Sequence, residues 1–272
     1  MLCLDDLRLD FALVKERIAS FIREMVETSG SNGAVLGLSG GVDSSTVAFL
    51  LTYALNPEKV LALIMPSSTT PAQDTEDAFA VADLLGIEVE VVNIQPIEEA
   101  FAKACPRYNP EKLLAAGNLK SRLRMTTLYY YANSLNMLVV GTGNKSEIMV
   151  GYFTKYGDSG VDILPIGDLY KTQVRWLAEE LGVPKRIIWK PPTAGLWPGQ
   201  TDEEEMGIKY EVLDLVLYGL VECGYTQEKV SEETGIPLET VKKVVSMVAR
   251  SEHKRSPVPK PLLQSLRKAR KD

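Results

Sequence analysis

Histidine is almost missing from this chain: among 272 residues only His253 is found. Cysteine is nearly as scarce, and Cys3, Cys105 and Cys223 are odd in number and share no CxxC spacing. A zinc centre of the usual Cys/His kind and a disulfide framework are therefore not suggested. A basic excess is also lacking, since 30 Lys and Arg stand against 36 Asp and Glu for a formal charge of −6. Without a general basic face to displace counterions, a nonspecific nucleic-acid partner is not expected. No apolar run approaches the roughly 20 residues of a membrane span. The stretch Met1–Ile18 lacks the basic start and continuous apolar core of a signal peptide. These absences lead to the expectation of a cytoplasmic protein with neither membrane nor nucleic acid as partner.

What is present is ordinary globular material, 45% hydrophobic and 24% charged, without repeats or low-complexity tracts. Leu7, Phe11, Val14, Ile18, Ile22 and Met25 recur at helical spacing before Gly30, which predicts an amphipathic helix lying against a sheet. Short apolar runs then alternate with helical patterns: "AVLGL" before Asp43 to Leu55, "KVLALIM" before Pro71 to Leu85, "IEVEVVNI" before Pro96 to Ala104. A long helix near Leu119 to Leu135 leads into "MLVVG". Such alternation predicts the α/β class, a doubly wound parallel sheet flanked by helices, followed by a helical C-terminal part. We expect a single domain over residues 1–272, with a core at about 30–190, a helical part at about 200–255 and a mobile basic tail after 255.

Ligands of open parallel sheets sit at the carboxyl ends of the strands. Two of those ends carry unusual polar sequence, "SGGVDSS" at Ser39–Ser45 and "GTGNKSE" at Gly141–Glu147. Adjacent glycines after a strand let successive N–H groups converge, and the following helix adds its positive end, a combination that attracts phosphate. The usual phosphate-loop lysine is absent, and the glycine spacing is not that of a dinucleotide loop. On a bare GGxD alone, the favoured reading is that Asp43 and Ser44 merely satisfy the first helical turn.

The full string resembles the PP-loop signature SGGxDS of the ATP pyrophosphatases. Beyond it, "GNLKSRLRM" at Gly117–Met125, "GTGNKSE", "GYFTKYGDSGVD" at Gly151–Asp162, "KPPTAG" at Lys190–Gly195 and "EHKR" at Glu252–Arg255 resemble, in order and spacing, the NAD synthetase family. The resemblance covers nearly the whole chain. It implies the adenine nucleotide alpha hydrolase-like fold, a homodimer, and ammonia-dependent amidation of deamido-NAD to NAD⁺ through an adenylate, releasing AMP and pyrophosphate. By position it implies ATP contacts from Gly37, Leu38, Ser39, Gly40, Gly41, Val42, Asp43, Ser44, Ser45, Thr142, Lys171 and Thr193. Mg²⁺ would be held by Asp43 and Glu147, and deamido-NAD by Arg122, Lys155, Asp162, His253 and Lys254. Asp43 and Lys171 would serve catalysis, with Asp158 receiving ammonia.

Several of these residues read blandly without the resemblance. Lys171 is then a helix-start lysine on a solvated face, Glu147 a surface or capping side chain, Asp158 a turn residue and His253 a surface histidine in a mobile tail, which the resemblance instead implies orders on ligand binding. Two positions depart from the family pattern: Gly195 stands where Asp is common in Thr-Ala-Asp-Leu, and Tyr152 where Phe is common. Two other readings are weighed. "TQEKVSEETGIPLETVKKVVSMVAR" at Thr226–Arg250 looks like a helix-turn-helix, but its glutamates oppose DNA, and we read it as packing. A tRNA-thiolating PP-loop enzyme would want a reactive cysteine arrangement and a basic RNA surface, which this chain does not offer.

Overall fold

In a computed structural model, residues 1–261 are described. The part of the expected basic tail from 262 onward lies outside them. Four parallel strands, β1 (Gly33–Gly37), β2 (Val60–Ile64), β3 (Glu88–Val91) and β4 (Met137–Val140), form one sheet in the order β3-β2-β1-β4. Helices α1 (Phe11–Ser29), α2 (Val42–Leu55), α3 (Ala72–Leu85), α4 (Gln95–Ala104) and α5 (Leu113–Leu135) alternate with them, and α6 (Lys145–Val150), α7 (Lys171–Leu181) and α8 (Lys185–Ile188) follow. The remainder is helical: α9 (Asp202–Met206), α10 (Tyr210–Val221), α11 (Gln227–Thr234) and α12 (Leu238–Arg255).

Strand β1 is buried on both faces, and its period of two divides its side chains between two cores. Ala34 and Leu36 join Val47, Leu51, Val81 and Leu177 on the α2, α3 and α7 side, while Val35 joins Leu63, Leu128 and Val139 on the α5 side. Burying each such leucine contributes about 2 kcal/mol. Strand β3 lies at one edge of the sheet, and exposed Glu88 and Glu90 there discourage pairing with another chain. A third core, containing Val150, Tyr170, Leu213, Leu217, Val230 and Val244, ties α6 to the C-terminal helices. Val230, Val241 and Val244 are buried within it, so the helix-turn-helix pattern at α11 and α12 is used for packing.

The first expected helix is broken. Leu4–Leu7 form a separate 3-10 turn, Asp10 caps α1 by accepting from Leu13 N at 3.1 Å, and Leu7 packs in the C-terminal core. Helix α1 itself buries Ile18, Ile22 and Val26 among residues of α2 and α7, in an outer layer beyond the helices that cover the sheet. The long helix also begins earlier than expected, at Leu113.

Strand order reverses direction at β1, which has β2 on one side and β4 on the other. The loops leaving β1 and β4 therefore diverge and leave a crevice at their carboxyl ends. "SGGVDSS" and "GTGNKSE" border that crevice.

Candidate functional site

The crevice opens into a cleft of about 530 Å³. One wall is the turn from β1 into α2. Its Ser39 hydroxyl accepts from Gly41 N at 3.3 Å and lies 3.0 Å from the Ser44 hydroxyl, which donates to Gly41 O at 3.1 Å. Gly37, Leu38, Ser39, Gly41, Val42, Asp43 and Ser44 line the cleft, with the first turn of α2 pointing its N–H groups toward it. Gly40 and Ser45 do not line it. Gly40 has φ +77°, and a Cβ there would lie 2.1 Å from Asp74 O, so its role is to let the turn pass beneath α3. Gly40→Ala is expected to cost about 3 kcal/mol, read as a lower urea midpoint.

The second wall is built by a capping box at the start of α6. The Asn144 side chain accepts from Glu147 N at 3.1 Å, and Glu147 Oε2 accepts from Asn144 N at 3.2 Å. This arrangement occupies one carboxylate oxygen of Glu147 and turns Oε1 toward the cleft. The Asn144 amide also donates to Asp43 Oδ1 at 3.1 Å, joining the two strand-end loops directly.

Lys171, at the start of α7, enters between them. It is only 2% exposed, which excludes the solvated-face reading of this lysine. Its Nζ pairs with Asp43 Oδ2 and lies 3.5 Å from Glu147 Oε1. Burial alone would lower the Lys171 pKa, but the Asp43 and Glu147 carboxylates outweigh it and keep the ammonium charged. Burial and the nearby Asp43 push the Glu147 carboxyl up to about 8. One ammonium thus answers the converging carboxylates of Asp43, Glu147 and Asp202. Two largely buried carboxylates in this deficit fit a divalent cation, which takes one or two protein carboxylates and completes its shell with phosphate oxygens. Among the described residues no cluster of three or more His, Cys, Asp or Glu is arranged to hold a metal alone.

The backbone that delivers Lys171 and Ser146 is tied to α10 by Asp214, which is fully buried. The Asp214 carboxylate accepts from Ser146 Oγ, from Thr172 N at 2.8 Å and from Thr172 Oγ1 at 2.7 Å, and Ser146 Oγ accepts from Lys171 N at 2.9 Å. Burial pushes its carboxyl up to about 6 despite these donors. Asp214→Ala would leave several buried donors unpaired and is expected to cost about 3–5 kcal/mol, measured by denaturant unfolding.

Thr142 and Thr193 line the cleft, as do Asp158 and Lys254. Asp158 closes a turn in which Tyr156 holds φ +58°. Its Oδ1 accepts from Ser121 Oγ and from Thr154 N, both at 2.8 Å, and its Oδ2 has no hydrogen-bond partner among the described residues. Lys254 donates to the carbonyls of Gly151 and Phe153 at 2.7 Å each.

Arg122, Lys155 and His253 are brought together outside the cleft lining. Arg122 donates to Lys155 O at 3.2 Å, and Lys155 Nζ donates to His253 O at 2.6 Å. Asp162 stands apart: its carboxylate accepts from Tyr129 OH at 2.9 Å and from Val139 N at 2.8 Å, securing β4. His253 and Lys254 belong to the last turn of α12 rather than to a mobile tail. That turn is held because Arg255 donates to the carbonyls of Met149 and Val248, and because Gly151, lacking a Cβ, lets Ser251 approach.

Three cleft-lining residues, Arg124, Lys190 and Asp202, and the buried Asn144 behind them escape a reading of the sequence as sites. Arg124 donates to Met65 O at 3.0 Å, and burial lowers its pKa to about 10. Lys190 pairs with Asp74 and Asp77 and donates to Gly40 O at 3.2 Å, bracing the glycine turn. Asn144 and Asp202 complete the set. Of these only Asn144 had a local signal, the Asn-x-x-Glu capping pattern. The segment after Lys190 crosses the cleft to α5, where Lys120 donates to Leu196 O at 3.0 Å and Thr69 Oγ1 donates to Gly195 O at 3.1 Å.

A family model described as NAD synthase matches residues 14–258. An NH3-dependent NAD⁺ synthetase of Archaeoglobus fulgidus is 55% identical over 252 residues, covering 92% of this chain and 97% of its own. One of Hyperthermus butylicus is 49% identical, covering 94% and 92%. Among solved structures, one described as NMN synthetase from Francisella tularensis superposes with a TM-score of 0.83 at 36% identity, covering 93% of this chain and 99% of that one. An NH3-dependent NAD synthetase from Campylobacter jejuni, in complex with nitrate, gives 0.78 at 32% identity, covering 94% and 100%.

Proposed function

The chain belongs to the NAD synthase family, and on that premise we propose that it is an ammonia-dependent ligase, converting deamido-NAD, ATP and ammonia into NAD⁺, AMP and pyrophosphate. The observation that carries this reading is the convergence of Asp43, Glu147 and Lys171 beside the glycine turn, across the cleft from the Asp158 turn. An anionic triphosphate needs the first group, and an attacking amine needs the second.

A carboxylate is a poor acyl donor, so it must first be activated. The nicotinate carboxylate oxygen attacks the α-phosphorus of ATP, the bond to the β-phosphate bridging oxygen breaks, and its electron pair leaves with pyrophosphate. The glycine turn and the N–H groups opening α2 hold the departing phosphates, with the Lys171 ammonium facing them. Asp43 and Glu147 would hold Mg²⁺, which would neutralise charge building on the leaving group. Ammonia then attacks the carbonyl carbon, gives up a proton, and the bond to AMP breaks. Asp158 binds ammonium in the cleft and takes part in that proton's removal, a role supported by the free Oδ2 facing solvent. Thr142 and Thr193 contact ATP. Arg122, Lys155, His253 and Lys254 form the basic surface for the dinucleotide, and Asp162 acts through β4.

A homodimer agrees with the exposed apolar side chains of Ile97, Phe101, Leu113, Leu114 and Tyr130 on α4 and α5. No described helix is long and apolar enough to cross a membrane, and a cytoplasmic setting suits this chemistry.

Incubation with Mg²⁺-ATP, an ammonium salt and deamido-NAD is expected to give equal amounts of NAD⁺ and AMP. Deamido-NMN is the acceptor to set beside it, given the Francisella relative. No amide from either acid, or ADP in place of AMP, would overturn the reading; amide from the mononucleotide alone would redirect the acceptor assignment.

A further inference from the structure

The Lys171 ammonium pairs with Asp43 and faces Glu147, the two carboxylates to which the reading above gives the divalent cation. Both cations cannot hold those oxygens at once. At 2% exposure, and with no phosphate in the cleft, Lys171 has little water for its charge and needs another anion of the protein. Asp202 is the anion at hand. It is 4% exposed, lines the same cleft, and its Oδ1 is buried without a hydrogen-bond partner among the described residues. Its Oδ2 accepts from Tyr210 OH at 3.1 Å, and the same hydroxyl lies 3.5 Å from Glu147 Oε1. The Tyr210 hydroxyl thus bridges the two carboxylates, and Lys171 Nζ sits 5.1 Å from the centroid of its ring. A cation crossing between the carboxylates stays over an aromatic face.

We propose that Asp202 is a positioning residue for Lys171: when a divalent cation takes Asp43 and Glu147, the ammonium turns over the Tyr210 ring to Asp202 Oδ1. The proposal rests on the assignment of Asp43 and Glu147 to the metal. It gives an unpaired buried oxygen a partner in the loaded state and explains why three carboxylates surround one lysine. It also couples loading to the segment over the cleft, because Asp202 N donates to Pro192 O at 3.0 Å.

The full chain is titrated with Mn²⁺ alone, followed by the resonance of the free ion. Asp202→Asn removes the second berth, so Lys171 competes harder and Mn²⁺ affinity is expected to fall about tenfold. In a Lys171→Met background there is no competitor, and Asp202→Asn is expected to change affinity by less than about twofold. Equal losses in both backgrounds would make Asp202 a metal ligand or a through-space charge and overturn the proposal, as would no loss in either. Asp202→Glu, which keeps the charge, is expected to bind Mn²⁺ within about threefold of the unaltered protein; a loss as large as with Asn would also count against it. If Mn²⁺ binding is unchanged by Asp43→Asn, the metal assignment itself has failed, a result separable from any effect of Asp202.

Discussion

Asp43→Asn is expected to lower exchange of labelled pyrophosphate into ATP by about 10³-fold, equivalent to about 4 kcal/mol of transition-state stabilisation. Asparagine keeps the shape and can still accept from the Asn144 amide. What it loses is the charge that holds Lys171 and, in the proposed mechanism, the divalent cation. Stability should move the other way. Asp43, Glu147 and Asp202 outnumber the single Lys171 ammonium, and Asp43 is a leading cause of the upward displacement of the Glu147 carboxyl. Removing one negative charge relieves that repulsion, so the thermal midpoint should be unchanged or higher while exchange collapses, as at other sites whose charges serve activity. Exchange kept within tenfold of the unaltered protein would remove Asp43 from the activation step.

Asp158→Asn should divide the reaction at its other half. The amide can still accept from Ser121 Oγ and Thr154 N, so the turn is preserved, but the negative charge at the cleft is gone. Pyrophosphate exchange should stay within about threefold, whereas amide formation at neutral pH should fall about 10²-fold. The defect should shrink as pH rises, because the free amine gains about tenfold per pH unit below the ammonium pKa and no longer needs a carboxylate to bind the cation and take its proton. Loss of both half-reactions together, with no recovery at high pH, would show that Asp158 positions the acid substrate instead.

The sheet and the glycine turn are legible in the sequence because both are local. Alternating apolar runs specify strands and covering helices, and Ser39–Ser45 is contiguous. Boundaries were less secure: Leu7 shares the spacing of the first helix but is claimed by the C-terminal core, and α5 begins before Leu119 because Gly117 lies inside the helix against Leu196. The hidden parts of the site depend on distant partners. Lys171 looks like a surface lysine in "YKTQVRW" until Asp43 and Glu147 arrive from other elements. Arg124 and Lys190 fall inside strings that carry the family resemblance, but neither they nor Asp202 announce a role by themselves, since their partners are Met65, Asp74 and Tyr210. His253 reads as tail because a basic C-terminal run resembles a solvated end, whereas the last turn of α12 is held by Arg255 reaching Val248 O of its own helix and Met149 O of α6.

Asp43 and Lys171 are separated by 128 residues, and Asp214 reaches back 68 residues to Ser146 to fix the start of α7. Contacts of such separation carry the largest loop-closure cost and form late as a chain folds. A refolding chain can therefore regain its helices and its sheet while the cluster of Asp43, Glu147 and Lys171 still does not exist. Recovery of activity would follow the slowest docking step, of the C-terminal helices onto α6 and α7, rather than the return of helical signal. The enzyme would then report on its own completion, since no partly folded form that lacked this docking could spend ATP.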